Sequence, residues 1–209
     1  MIPQLNFNHR FKVDIPHRSF WHEGYVDPAD EVNFYTDGSK TEEGVGSAVF
    51  FKDLHLNLSY RLPDQCSIFQ AEIIAIYKAA KSALSSQTAG KTICIFVYSQ
   101  AALKALNLNQ IKSKTTMDCF QTLQLLGANS RVRLCWVPGH SDVTGNEIAD
   151  SLAREGSALC SSNAEDVPLP ISVAYKRTLS RMYTTAEETW AQTSSCRITK
   201  VMWGSSNFN

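Results

Sequence analysis

From Glu31 to Leu84 the spacing of apolar residues changes once, and that change orders the strands and helices. The runs EVNFYTDGS, GVGSAVFFKD and LHLNLSYRLPD are rich in strand formers, and in the third Leu54, Leu56, Leu58 and Tyr60 fall on every second position. A period of two places such side chains on one face of a strand. Three such runs joined by short turns predict an antiparallel meander. In SIFQAEIIAIYKAAKSAL, by contrast, Ile68, Phe69, Ile73, Ile76, Ala80 and Leu84 recur at intervals of three and four. That spacing predicts a helix of about four turns with Ser67 as its N-cap.

The remaining elements alternate. TICIFVY is short and almost wholly apolar, as suits a strand buried on both faces, and SQAALKAL resumes a helical pattern. TTMDCFQTLQLLGANS predicts a further helix, closed by Gly127 in the left-handed conformation. VRLCWVPGH reads as a fifth strand stopped by Pro-Gly, and TGNEIADSLAREGSAL as a helix opened by a capping box from Thr144 to Glu147. The order β-β-β-α-β-α-α-β-α predicts an α/β domain, a mixed sheet with helices on its faces. The expected organisation is a leader at 1–30, the domain at 31–160, a linker at 161–170 and a helical tail at 171–209 with Lys176, Arg177 and Arg181 on its polar side.

Composition narrows the class without naming a partner. Twenty Lys and Arg balance twenty Asp and Glu, so a polyanion would have to be met by local basic patches. The six cysteines show no C-x-x-C spacing, which argues against structural zinc. With no apolar signal core in the first residues and no run of about 18 apolar residues, the expectation is a monomeric protein of the cytoplasm or nucleus, away from membranes.

Three acids stand at the punctuation points: Asp37 at the end of the first run in T-D-G-S, Glu72 early in the first helix, and Asp150 in the last. Taken singly each has an ordinary structural explanation, as a turn former, a helix-dipole partner or a surface acid. An ionised Asp in a central strand is costly unless it is paired or bound to a cation. Carboxylates meeting at one edge of a mixed sheet would make a hard-oxygen site for Mg²⁺ or Mn²⁺.

The motifs FYTDGSK, GVGSAVFF, SIFQAEIIAIYKA, YSQAALKAL and RVRLCWVPGHSDVTGNEIADSLAREGS together resemble the type 1 ribonuclease H family, and within it the RNase H domains of insect-type non-LTR retrotransposon polyproteins. The likeness runs from Val32 to Ser157, and TWAQTSSCRITKVMW resembles the segment that follows this domain in such polyproteins, so the chain is expected to be a fragment of one. The resemblance implies a five-stranded sheet, three antiparallel strands then two parallel. It implies hydrolysis of the RNA strand of an RNA–DNA hybrid with two Mg²⁺ or Mn²⁺ ions. It carries the family's first, second and fourth acids, which are catalytic and metal-binding, onto Asp37, Glu72 and Asp150, and its mobile histidine onto His140.

The third acid is replaced. Where the family has Asp at the end of the fourth strand, the ungapped register reads Ile95-Phe96-Val97-Tyr98-Ser99. A phenol ordinarily ionises only near pH 10 and is a poor substitute for a bridging carboxylate. Loss even of an outer partner of a metal ligand costs about 10–100-fold, so Tyr98 is expected to impair cleavage. Neither Asp118 nor Asp142 has a spacing that would bring it to this position.

Substrate contacts are expected from Ser39, Gln70 and Asn146, which flank the three surviving acids, and from Lys40, Lys104, Lys112 and Lys114 toward phosphates. Three readings stand together at this point: a weakened hybrid endoribonuclease, a catalytically dead nucleic-acid binder, and a folded interaction module.

Overall fold

The computed structural model describes residues 8–21, 30–54, 56–86, 88–111, 113–139, 143–168 and 171–193. The strands are β1 (Phe11–Asp14), β2 (Glu31–Lys40), β3 (Val45–Phe51), β4 (Leu56–Leu62), β5 (Thr92–Val97) and β6 (Arg131–Trp136). The α-helices are α1 (Ile68–Ser85), α2 (Gln100–Leu106), α3 (Lys114–Leu126), α4 (Thr144–Ala158) and α5 (Ile171–Gln192). The chain divides into two compact units after Pro168, with α5 in the second.

The sheet has six strands in the order β1-β6-β5-β2-β3-β4, with β2-β3 and β3-β4 antiparallel and β2-β5, β5-β6 and β1-β6 parallel. The expected mixed architecture is present with one strand more than the five anticipated. The addition comes from the leader. Its segment FKVD pairs with β6 from Phe11↔Val132 to Asp14↔Cys135, and a short 3-10 helix, Arg18–Trp21, follows it. Phe11 joins the core beside Phe120, and Trp21 is buried against Phe96. Four residues are too few to show a period, and it is the open edge of β6 that makes them a strand.

Successive residues of β2 serve opposite faces, as the pleat requires. Phe34 packs in a large core with Ile73 and Ile76 of α1, Leu103 and Leu106 of α2, and Leu123 of α3. Tyr35 lies in a second core with Ala149, Leu152 and Ala153 of α4. The fully buried β5 residues Ile93 to Val97 confirm a strand covered on both sides. β4 is an edge strand, so its alternation is only half used: Leu58 and Tyr60 pack on the core, Leu56 is exposed, and Leu54 falls in a short 3-10 helix before it.

Helix ends show where local chemistry decided the outcome. Ser67 caps α1 in a reciprocal box, its hydroxyl accepting from Gln70 N at 3.2 Å while Ser67 N donates to Gln70 Oε1 at 3.1 Å. The box expected at Thr144 does not form. The N-cap of α4 is Val143, and Thr144 is already helical. Gly127 ends α3 in the right-handed region, not the left-handed one (φ −69°, ψ −6°). Its missing side chain answers a packing need, since a Cβ there would lie 2.1 Å from the carbonyl oxygen of Arg10.

Candidate active site

The parallel pairing of β2 and β5 ends at Thr36↔Val97. Asp37, the next residue of β2, which runs on to Lys40, and Tyr98, the residue that follows β5, therefore come to the same place at the carboxyl end of β5 and line one cleft. This is the edge of an open α/β sheet where ligands are generally bound. α1 approaches β2 at Gly38, where an added Cβ would lie 2.5 Å from Glu72 N, and that close approach brings Glu72 to the same edge from one face. α4 covers the other face and brings Asp150. Gly46 permits its seat, since a Cβ there would lie 2.2 Å from the carbonyl oxygen of Ala153.

Asp37, Ser39, Lys40, Glu72, Tyr98, Asn146, Asp150 and Arg154 thus line one cleft of about 410 Å³. Its floor is buried and acidic. Asp37 is 6% and Glu72 3% exposed. Burial, followed by the charge of Asp150, pushes the Asp37 carboxyl up to about 7, against the pull of the Gly38 N–H and the positive charge of Arg154. A side-chain hydrogen bond with Asp150 pushes in the same upward direction. Glu72 is pushed well above the carboxylate range by burial and then by Asp37. Its Oε2 is buried with no hydrogen-bond partner among the described residues. A buried carboxylate oxygen facing like charges and left without a donor calls for a cation or proton.

Asp37 and Glu72 have the chemistry to hold one hard divalent ion, and Asp150 lies beside them. Among the described residues, however, no three His, Cys, Asp or Glu side chains converge into a ready cage. Asp150 Oδ2 is paired with Arg154 Nη2 at 2.8 Å, and the tip of β5 offers the Tyr98 ring instead of an acid. Tyr98 is 47% exposed, and its ring lies against Gly139, where a Cβ would come within 2.7 Å of Cε2. Around it, Trp136 Nε1 donates to the Tyr98 carbonyl at 3.0 Å and Arg18 Nη2 donates to that of Gly139 at 3.1 Å.

The other sequence-predicted contacts divide. Ser39 and Asn146 line the cleft, and Asn146 Oδ1 is buried without a partner among the described residues. Gln70 is placed elsewhere: it is buried, caps α1, and donates through Nε2 to Pro168 O at 3.4 Å. Lys40 Nζ donates to the carbonyls of Cys66 and Asp64 at 2.9 and 3.3 Å. Lys114 is paired with Asp118, and Lys104 is exposed on α2. His140, Asp142 and Lys112 lie outside the described residues. Arg154 and Glu147, which were not among the sequence-predicted contacts, also line the cleft. The signal for Arg154 was its i,i+4 spacing from Asp150.

The family profile described as RNase H matches residues 29–158, more than half of the chain. The chain belongs to the RNase H family. Its RNase H region is similar to Ribonuclease H1 of Homo sapiens, at 30% identity over 146 residues, covering 61% of this chain and 50% of that protein. Ribonuclease H1 of Mus musculus and of Rattus norvegicus match with the same identity and coverage. The chain therefore spans about half the length of the curated relatives it matches. The matched region takes in β2 to α4 and leaves β1, Trp21 and α5 outside. No helix among the described residues is long and apolar enough to cross a membrane.

Proposed function

We propose that this chain is an RNase H domain of retrotransposon origin that binds RNA–DNA hybrids across the Asp37 cleft and hydrolyses their RNA strand weakly or not at all. The observation that carries the reading is that Asp37, just past the last β2–β5 pair, and Tyr98, just past the end of β5, line one cleft with Glu72 and Asp150.

Asp37 and Glu72 would hold a Mg²⁺ or Mn²⁺ ion, with Asp150 joining once it leaves Arg154. A bound ion of this kind supplies positive charge that activates a water and steadies the leaving oxygen of a phosphodiester. Tyr98 provides no charged oxygen for a second ion at neutral pH, and its ring occupies space where a shorter acid would stand. Ser39 and Asn146 are placed to hydrogen-bond a sugar hydroxyl or phosphate. The unpartnered Asn146 Oδ1 would accept from a 2′-hydroxyl, the group that separates RNA from DNA. His140, by family register, would assist proton transfer as a neutral imidazole. Lys104 would meet the phosphate backbone from α2.

A second reading, a nucleic-acid-binding domain without catalysis, is favoured by the Asp150–Arg154 pair and by the absence of a three-ligand cage among the described residues. Both readings require hybrid binding, which fluorescence anisotropy tests. The affinity for labelled RNA–DNA hybrid should exceed that for duplex DNA of the same sequence and should fall as salt rises. Equal affinity for both, or none for either, would refute the two readings together.

A further inference from the structure

Arg154 is the unexpected member of the cleft. Its guanidinium lies 2.8 Å from Asp150 Oδ2, one turn along α4, with the two side chains 66% and 41% exposed. The other cation of the wall, Lys40, is directed to the carbonyl oxygens of Asp64 and Cys66. Arg154 is therefore, among the described residues lining the cleft, the cation paired with one of its acids. Its charge also opposes the upward push on Asp37, so its influence reaches the acid at the strand tip as well as its own partner.

We propose that Arg154 is a resident counter-cation which competes with divalent metal for Asp150 and thereby sets the affinity of the cleft for Mg²⁺ or Mn²⁺. The inference rests on the reading that the cleft takes such an ion. A guanidinium is a fixed positive charge with donors and no acceptor. To use Asp150 Oδ2, a divalent ion must break this hydrogen-bonded pair and then tolerate a like charge a few ångströms away. In a site that already offers Tyr98 in place of an acid, that competition weighs on the few carboxylates that remain. Arg154 is a positioning residue in this account: it acts through Asp150 and touches neither metal nor substrate.

An alternative with no bearing on metal is a plain helix-surface ion pair that steadies α4. The two differ in what they predict for cation binding by the folded, nucleic-acid-free protein. Calorimetric titration with MnCl₂ alone would compare the wild type, Arg154→Gln, Arg154→Lys, Asp150→Asn and the double variant Arg154→Gln with Asp150→Asn. Asp37→Asn serves as the control that places binding in the cleft. Because the pair is exposed, these variants should fold, and unfolding curves verify it. Removing the charge should tighten Mn²⁺ binding about three- to tenfold, on the scale of an exposed ion pair plus relief of like-charge repulsion. The lysine variant should stay within about twofold of wild type, and the gain should vanish when Asp150 is also replaced. Unchanged or weaker binding by Arg154→Gln, with Mn²⁺ still bound in an Asp37-dependent way, would overturn the inference and leave the divalent-ion reading standing. Failure of every variant to bind Mn²⁺ would overturn both.

Discussion

Replacing Asp37 with Asn should stabilise the metal-free protein at neutral pH while removing a residue on which any chemistry of this cleft would depend. Asp37 is buried to 6% exposure, and its carboxyl is raised from 3.8 to about 7 by burial and by Asp150. Below pH 3.8 the group is protonated in both the folded and unfolded chains and leaves stability unaffected. As pH rises toward 7 the unfolded chain ionises while the folded chain holds its proton, so stability is progressively lost through that window. The distance from 3.8 to about 7, at about 1.4 kcal/mol per pH unit, is on the order of 4 kcal/mol. Asn keeps the shape and an acceptor oxygen without the charge. Urea unfolding in the presence of EDTA would be followed from pH 4 to pH 8 for both proteins. The wild type should lose stability across this range, and Asp37→Asn should follow a flatter profile and exceed it by about 2–4 kcal/mol at pH 8. Parallel profiles, or a less stable Asn variant at pH 8, would refute the electrostatic argument.

Other perturbations probe the scaffold and the substrate surface. Gly46→Ala would drive a Cβ to 2.2 Å from the Ala153 carbonyl oxygen; because the obstacle is backbone, the cost should exceed about 2 kcal/mol and show as a large drop in Tm. Trp21→Ala, in the segment preceding the RNase H match, should destabilise by about 3–5 kcal/mol as a core truncation, measured by denaturant unfolding; a change under about 1 kcal/mol would mean that the leader is not part of the cooperative fold. Asn146→Ala should weaken hybrid binding by roughly fivefold to tenfold through loss of one hydrogen bond to a buried acceptor, leaving affinity for duplex DNA of the same sequence unchanged in the same anisotropy assay.

Much of the frame was legible because local signals agreed with the tertiary result. The meander and α1 followed from the switch in apolar period, and Ser67 took the N-cap position expected of it. β1 was not legible, because its identity is conferred by the edge of β6. The capping-box spacing at Thr144 failed because the helix starts there and Val143 takes the cap position. Gly127 meets a steric need and not a conformational one, set by Arg10 from a distant part of the chain. In the cleft, the positions of Asp37, Glu72 and Asp150 could be anticipated from motif order. The commitment of Gln70 to a helix cap and to Pro168, and the place of Arg154 on the cleft wall, depended on neighbours that only the fold supplies.

The proposed loss of cleavage turns on Tyr98, which lines the cleft with Asp37 at the end of β5 where a catalytic acid is needed. Its most direct test is cleavage of a labelled RNA–DNA hybrid by the wild type and by Tyr98→Asp, side by side in Mg²⁺ and in Mn²⁺. Little or no cleavage is expected from the wild type, with a gain of at least about 10–100-fold in the Asp variant, the scale on which metal-site partners act. Comparable cleavage by both proteins would contradict it.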